Sequence, residues 1–192
     1  MIRSLLLSLL LVAPVAASAD TPERAAALAG LSHVSFPAPQ RVASGRLRAS
    51  DMAPLQRAGI RNVIDLSVDD ETPGFDEAVS VRAAGISYHN LPIHGAADLT
   101  RANVTRFDQL LQDAGDQPTL VHCASSNRVG AMIALRAALL DGQPTEAALV
   151  EGRRWGLKNL EPAVRERLQA WSAEPGESPP AQGLNMPDRR ND

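Results

Sequence analysis

Aromatic residues are scarce in this 192-residue chain: three phenylalanines, two tryptophans and one tyrosine make up 3% of it. A core built without them must rest on Leu, Val, Ile and Ala, the composition of sheets covered by helices on both faces. An excess of charge is lacking too, since 19 Lys and Arg against 22 Asp and Glu leave a net charge of −3. That balance argues against a nucleic-acid or anionic-membrane surface. No apolar run reaches the ~20 residues of a spanning helix. The histidines, His33, His89, His94 and His122, are too dispersed for a zinc-ligand spacing. Neither a dinucleotide fingerprint nor an internal repeat is present, and no metal or cofactor is expected. The single cysteine, Cys123, excludes an internal disulfide.

The N-terminus carries a processing pattern. Arg3 gives a positive start, residues 5–15 an apolar core, and Ala17-Ser18-Ala19 a small-residue cleavage site. A signal peptide over 1–19 places the mature chain, starting at Asp20, in the periplasm or outside the cell, with no stable membrane insertion after cleavage. In an oxidising compartment a lone thiol is a liability unless it is deeply buried or put to work. The length and the 44% apolar content fit one globular domain. It is expected over 41–171, after an arm or linker at 20–40 and before a Pro/Gly/Ser/Glu tail at 172–192 too polar to order.

Along the chain, apolar β-branched runs at 60–66, 86–91 and 119–122 read as strands, with a short edge strand at 41–47. Between them lie helix patterns at 50–58, 75–84, 100–114 and 128–140, several closed by a following glycine, and two more at 145–154 and 162–171. The alternation describes a helix-flanked sheet. In such sheets ligands sit beyond the carboxyl ends of the strands, where Cys123 and the loops at 67–74 and 92–98 all fall.

Residues 120–131, Leu-Val-His-Cys-Ala-Ser-Ser-Asn-Arg-Val-Gly-Ala, hold the chemistry. A strand, a loop of short polar residues and a helix N-terminus form an oxyanion site from backbone N–H groups alone. Arg128 falls in the helix's first turn, where a cation opposes the helix dipole unless an anion is bound beside it. In the same positive field the thiolate of Cys123, the nucleophilic form, is favoured. Thiolate, anion nest and guanidinium fork together describe covalent catalysis on a phosphoryl-like group.

His122-Cys123, the loop Ala124, Ser125, Ser126 and Asn127, then Arg128 and a helix, resemble the signature of the cysteine-based protein tyrosine and dual-specificity phosphatase superfamily. They are most similar to the small bacterial beta-lactamase-hydrolase-like phosphatases. The resemblance implies a three-layer α/β fold, with a mostly parallel central sheet flanked by helices and a strand-loop-helix phosphate loop. It implies that Cys123 is the nucleophile, Arg128 and residues 124–127 and 129 the oxyanion site, and Asp98 the general acid. His122 would hold the loop through a buried hydrogen bond. The substrate would be a phosphorylated protein or a small phosphomonoester.

Two residues depart from the pattern. Ser126 stands where relatives have glycine, and Val129 where they have Ser or Thr; Asn127 is expected to take some of the left-handed turn. The four-residue spacing between Cys123 and Arg128 is also the loop length that resembles rhodanese sulfurtransferases, so persulfide transfer is a rival reading, and an anion-binding module without turnover a third. The acid itself has competitors. Asp98 could instead cap the helix at 100, Asp69, Asp70 and Glu71 read as a solvated turn, and His94 is a further candidate of a residue type suited to proton transfer.

Overall fold

The computed structural model describes residues 22–71 and 74–173. The expected signal peptide and residues 174–192 of the expected tail lie outside them. Five strands form one sheet: β1 (Ser35–Ala38), β2 (Arg41–Ser44), β3 (Asn62–Asp65), β4 (Ser87–Asn90) and β5 (Thr119–His122). They lie in the order β1-β2-β5-β3-β4, parallel except for β1, which pairs antiparallel with β2 at the edge. The seven helices are α1 (Pro22–Leu28), α2 (Met52–Arg57), α3 (Glu77–Ala83), α4 (Arg101–Ala114), α5 (Asn127–Leu139), α6 (Thr145–Arg154) and α7 (Glu161–Ala173).

The mostly parallel, helix-covered sheet is the architecture expected from the sequence. The stretch 20–40 is different. It contributes α1 within the Ala-rich segment 21–31 that reads as loosely helical, with Leu28 and Leu31 buried, and the edge strand β1, where an extended linker is expected at 36–39. Pro37 hides that strand in the sequence: proline cannot donate to a ladder, and an edge strand is where a sheet tolerates it. At the other end, α7 runs through Ala173, two residues into the expected tail.

Strand alternation sorts the interior into two layers. Ala43, Ile64, Leu66, Val121 and Cys123 face the cluster formed with α4, α5, α6 and α7, centred on Phe107, Met132 and Leu135. Val42, Val63 and Leu120 face the other way, against Leu28, Leu55, Val81 and Ile86. Burial of twelve large side chains to below 2% exposure, at roughly 1.5–3 kcal/mol for each, supplies the main driving force without a large aromatic share. Helix α5 and α6 meet through glycines: a Cβ on Gly130 would lie 2.1 Å from Leu157 N, and one on Gly152 2.6 Å from Gly130 O. Such close backbone approach brings the whole of α5, and with it the helix N-terminus after Cys123, hard against the domain.

Local signals set the boundaries. Thr100 caps α4 by accepting from Asn103 N at 3.2 Å, and Asp76 caps α3 by accepting from Val79 N at 2.9 Å, as short polar side chains at N-caps do. Asp51, ahead of α2, turns backward and accepts from Arg48 N at 2.9 Å. No helix among the described residues is long and apolar enough to cross a membrane.

Candidate active site

Strand β5 is the centre of the sheet and ends at His122, so Cys123 leaves from the carboxyl edge with strands on both sides. Cys123 is 1% exposed and is the free cysteine of the chain. Three residues later Ser126 adopts φ 62°, ψ −5°, and α5 starts at Asn127. The first N–H groups of a helix have no acceptor inside it, so those of Asn127, Arg128 and Val129 open α5 with the positive end of its dipole beside the cysteine loop.

Ser126 therefore performs the left-handed turn itself. Asn127, expected to share that role, is helical; its Oδ1 accepts from Lys158 N at 2.8 Å and Leu160 N at 3.3 Å, tying the loop to the α6–α7 connection. Ser126 Oγ donates to His33 O at 3.2 Å. Room for it comes from Gly156, at φ 102°, where a Cβ would sit 2.5 Å from that of Ser126. On the other flank Arg46 N donates to Ala124 O at 3.3 Å, and Gly45 pairs with Ser125 as an isolated bridge. Ala124 and Ser125 are half-buried, and Val129 is fully buried in the core.

Arg128 joins the loops. Its Nη1 donates to Leu66 O at 3.3 Å, beyond β3, and to Ile93 O at 2.8 Å, beyond β4. Glu71 grips the same guanidinium with both oxygens, Oε1 on Nη1 at 2.7 Å and Oε2 on Nη2 at 2.6 Å. Arg46 stands on the outer side of that carboxylate at 3.6 Å. Burial works against the charge on Arg128, but hydrogen bonds to Glu71 and Cys123 and the charges of both hold its pKa above the ordinary value. Glu71 is held below the ordinary carboxylate range, chiefly by its hydrogen bond from Arg128, against a smaller opposing effect of burial. The acidic turn that reads as solvated in the sequence thus supplies the partner that orients Arg128. The only sequence signal for it was three acids at the same end of the sheet.

Asp98 lies in the short turn Ala96–Asp98 ahead of α4, whose cap is Thr100. Its Oδ2 accepts from His94 N and pairs with His94 Nδ1, each at 2.8 Å. Those two bonds, the backbone one foremost, hold its pKa below the ordinary value. Two of the candidate acids, Asp98 and His94, thus form one pair. Asp70 is exposed.

His122 has two acidic companions, and they were not legible in advance. The parallel register sets Asp65 beside His122, with both side chains on the face opposite Cys123, toward α3. His122 Nε2 lies 2.7 Å from Glu77 Oε1 and 3.4 Å from Asp65 Oδ1. The Glu77 contact is close, and it does not meet the geometry of an aligned hydrogen bond. These donors all fall within 4.8 Å of one another, the only such His/Cys/Asp/Glu group among the described residues. Two ligands each 2.0–2.1 Å from a tetrahedral zinc sit about 3.3 Å apart. The 2.7 Å separation is that of a direct ion pair.

Residues 42–157, more than half of the chain, match the family described as DSP-PTPase phosphatase fused to NAD+ kinase. The chain belongs to this family of cysteine-based phosphatases. Solved structures share the phosphatase's fold. A Shewanella putrefaciens CN-32 protein assigned as a DUF442 phosphatase superposes with a TM-score of 0.60 at 24% identity, covering 77% of this chain and 97% of its own. A protein of Neisseria meningitidis Z2491, also assigned as a phosphatase, gives 0.60 at 24% identity over 72% and 97%. TpbA of P. aeruginosa, solved in complex with phosphotyrosine, gives 0.54 at 24% identity over 70% and 80%. Among curated protein sequences no match is found.

Proposed function

We propose that this phosphatase is exported and hydrolyses phosphomonoesters, on proteins or small molecules, through a phosphocysteine. The observation that carries the reading is the meeting of Cys123 with Arg128 at a helix N-terminus, with the guanidinium oriented by Glu71, Leu66 O and Ile93 O. The bonds from those partners fall on Nη1 and Nη2, so the Nε edge is the side that meets a phosphoryl oxygen. The thiolate of Cys123 attacks phosphorus. As the S–P bond forms, the bond to the leaving oxygen breaks, and Arg128 with the N–H groups of residues 124–129 holds the three equatorial oxygens. Water then attacks the phosphocysteine, the S–P bond breaks, and inorganic phosphate leaves.

The departing oxygen takes its proton from Asp98, which takes it back from the attacking water. His94, whose Nδ1 lies 2.8 Å from the same oxygen, orients that carboxylate. Hydrolysis of p-nitrophenyl phosphate is expected in the wild type and absent in Cys123→Ser, with a loss on the order of 10⁴-fold or more. Activity surviving in that variant, or thiosulfate-to-cyanide transfer without phosphatase activity, overturns the reading. The N-terminal pattern supports export, and a mature protein beginning at Asp20 in the periplasmic fraction is its check.

A further inference from the structure

The mechanism makes no use of the buried charges behind the cysteine loop, and they are costly to ignore. His122 is 0% exposed, Glu77 4% and Asp65 7% at the side chain. Asp65 is otherwise well supplied: Oδ1 accepts from Ser67 N at 2.7 Å, and Oδ2 from Tyr88 Oη at 2.8 Å and Asn90 Nδ2 at 3.3 Å. Glu77 has no hydrogen-bond donor on either oxygen, and both ring nitrogens of His122 are likewise without an aligned partner. A carboxylate buried on these terms beside a neutral imidazole would be an uncompensated charge, a strongly destabilising arrangement. An imidazolium between the two carboxylates is the arrangement that makes the cluster tolerable.

We infer that Glu77 is a positioning residue of the phosphatase: from the first turn of α3 it holds His122 as an imidazolium against Asp65, and so fixes the end of β5 from which Cys123 springs. Every element around the ring takes part, Asp65 on β3 with Tyr88 on β4 behind it, Glu77 on α3 and Arg128 on α5. Burial and Arg128 disfavour the protonated ring, while Glu77 and Asp65 favour it and prevail, leaving the pKa of His122 above 6.5. The backbone carries the consequence to the nucleophile, since His122 O accepts from Leu66 N at 2.9 Å and the next residue is Cys123. Losing the charge on Glu77 frees both the ring and the strand end, on the side of the sheet away from Arg128 and Glu71.

The inference rests on the phosphatase reading for its kinetic arm and is independent of it for its spectroscopic arm. In the wild type, the His122 ring followed by NMR is expected to titrate above pH 6.5, and kcat for p-nitrophenyl phosphate to fall on the alkaline side with the same midpoint. In Glu77→Gln both midpoints are expected to move down together by about one pH unit, the effect of removing one close opposite charge. KM should stay within about twofold, and Glu77→Asp should restore most of the shift. A ring already neutral at pH 6.5 in the wild type overturns the inference without any variant having to fold. So does a Glu77→Gln protein in which the ring titration moves and the kcat limb does not. One equivalent of Zn²⁺ held by the wild type and lost in Glu77→Gln also overturns it, because the three side chains would then be ligands. Absence of all phosphatase activity strikes the reading of the site and leaves the ring titration as the judge of Glu77.

Discussion

Two carboxylate–cation groups flank Cys123, and they differ in what surrounds them. In front, on the substrate side, Glu71 grips Arg128 through two short, aligned bonds, with side chains 22% and 10% exposed. Behind, Glu77 and Asp65 press on His122 with no aligned bond from Glu77, and all three are within 7% of full burial. The front group has good geometry and access to water, so it can present the Nε edge of Arg128 to a phosphoryl group. The group behind has neither, and serves by being fixed. One active-site loop is thus held by an adaptable pair and an unyielding one, and substitutions should separate them.

The largest effect is expected at the front. Arg128→Ala removes the charge that meets the phosphoryl oxygens and should lower kcat/KM for p-nitrophenyl phosphate by about 10³-fold or more. Glu71→Gln removes only the partner that orients it, and about tenfold is expected, as for groups one bond removed from the chemistry. Equal losses in the two variants would mean that Glu71 itself meets the substrate, and the front pair would no longer be a holder and a held. Between these two in size lies Asp98→Asn, with a loss of about 10²-fold in kcat on an alkyl phosphate. The loss should be much smaller on p-nitrophenyl phosphate, whose leaving group needs no proton. An equal loss on both substrates would remove Asp98 from proton transfer.

How much of this was legible in the sequence follows from the range of each signal. Strand β5 and the whole of α6 are set by local chemistry, and short-range patterns place them well. Cys123 and Arg128 are five positions apart, so one motif holds both. The partners of that motif are distant: Glu71 is 57 residues from Arg128, and Glu77 and Asp65 reach His122 only through the packing of α3 and the register of β3. Nothing local distinguishes Glu71 from its acidic neighbours. Ser126 marks the boundary between the two cases. Its strain was readable where it sits, at φ 62°, and its relief by Gly156, thirty residues on, was not.

The two groups should also fail at opposite ends of the pH scale. Glu71 has its folded pKa below 4.5, so its contribution to stability is present above that value and is lost as pH falls through the folded one. His122 has its folded pKa above 6.5, so its contribution is full below 6.5 and is lost as pH rises through the folded value. Urea unfolding from acid to alkaline pH measures both. The difference between wild type and Glu71→Gln should shrink toward the acid end, and that between wild type and Glu77→Gln toward the alkaline end. Two differences that shrink in the same direction would erase the contrast between the groups.

The smallest effect is expected at the residue that touches neither group. Ser126→Gly removes a left-handed serine, a relief of about 1 kcal/mol. It also deletes the bond from Ser126 Oγ to His33 O, worth about 1 kcal/mol, and adds backbone freedom to the unfolded chain, which costs about 0.5–1 kcal/mol. These nearly cancel, so the unfolding free energy should move by no more than about 1 kcal/mol, and activity should hold. The serine is then tolerated because Gly156 and the His33 carbonyl accommodate it. A gain of more than about 2 kcal/mol together with lost activity would reverse that account. It would make Ser126 a strained residue kept for the chemistry, and the loop between the two charged groups a third source of constraint on Cys123.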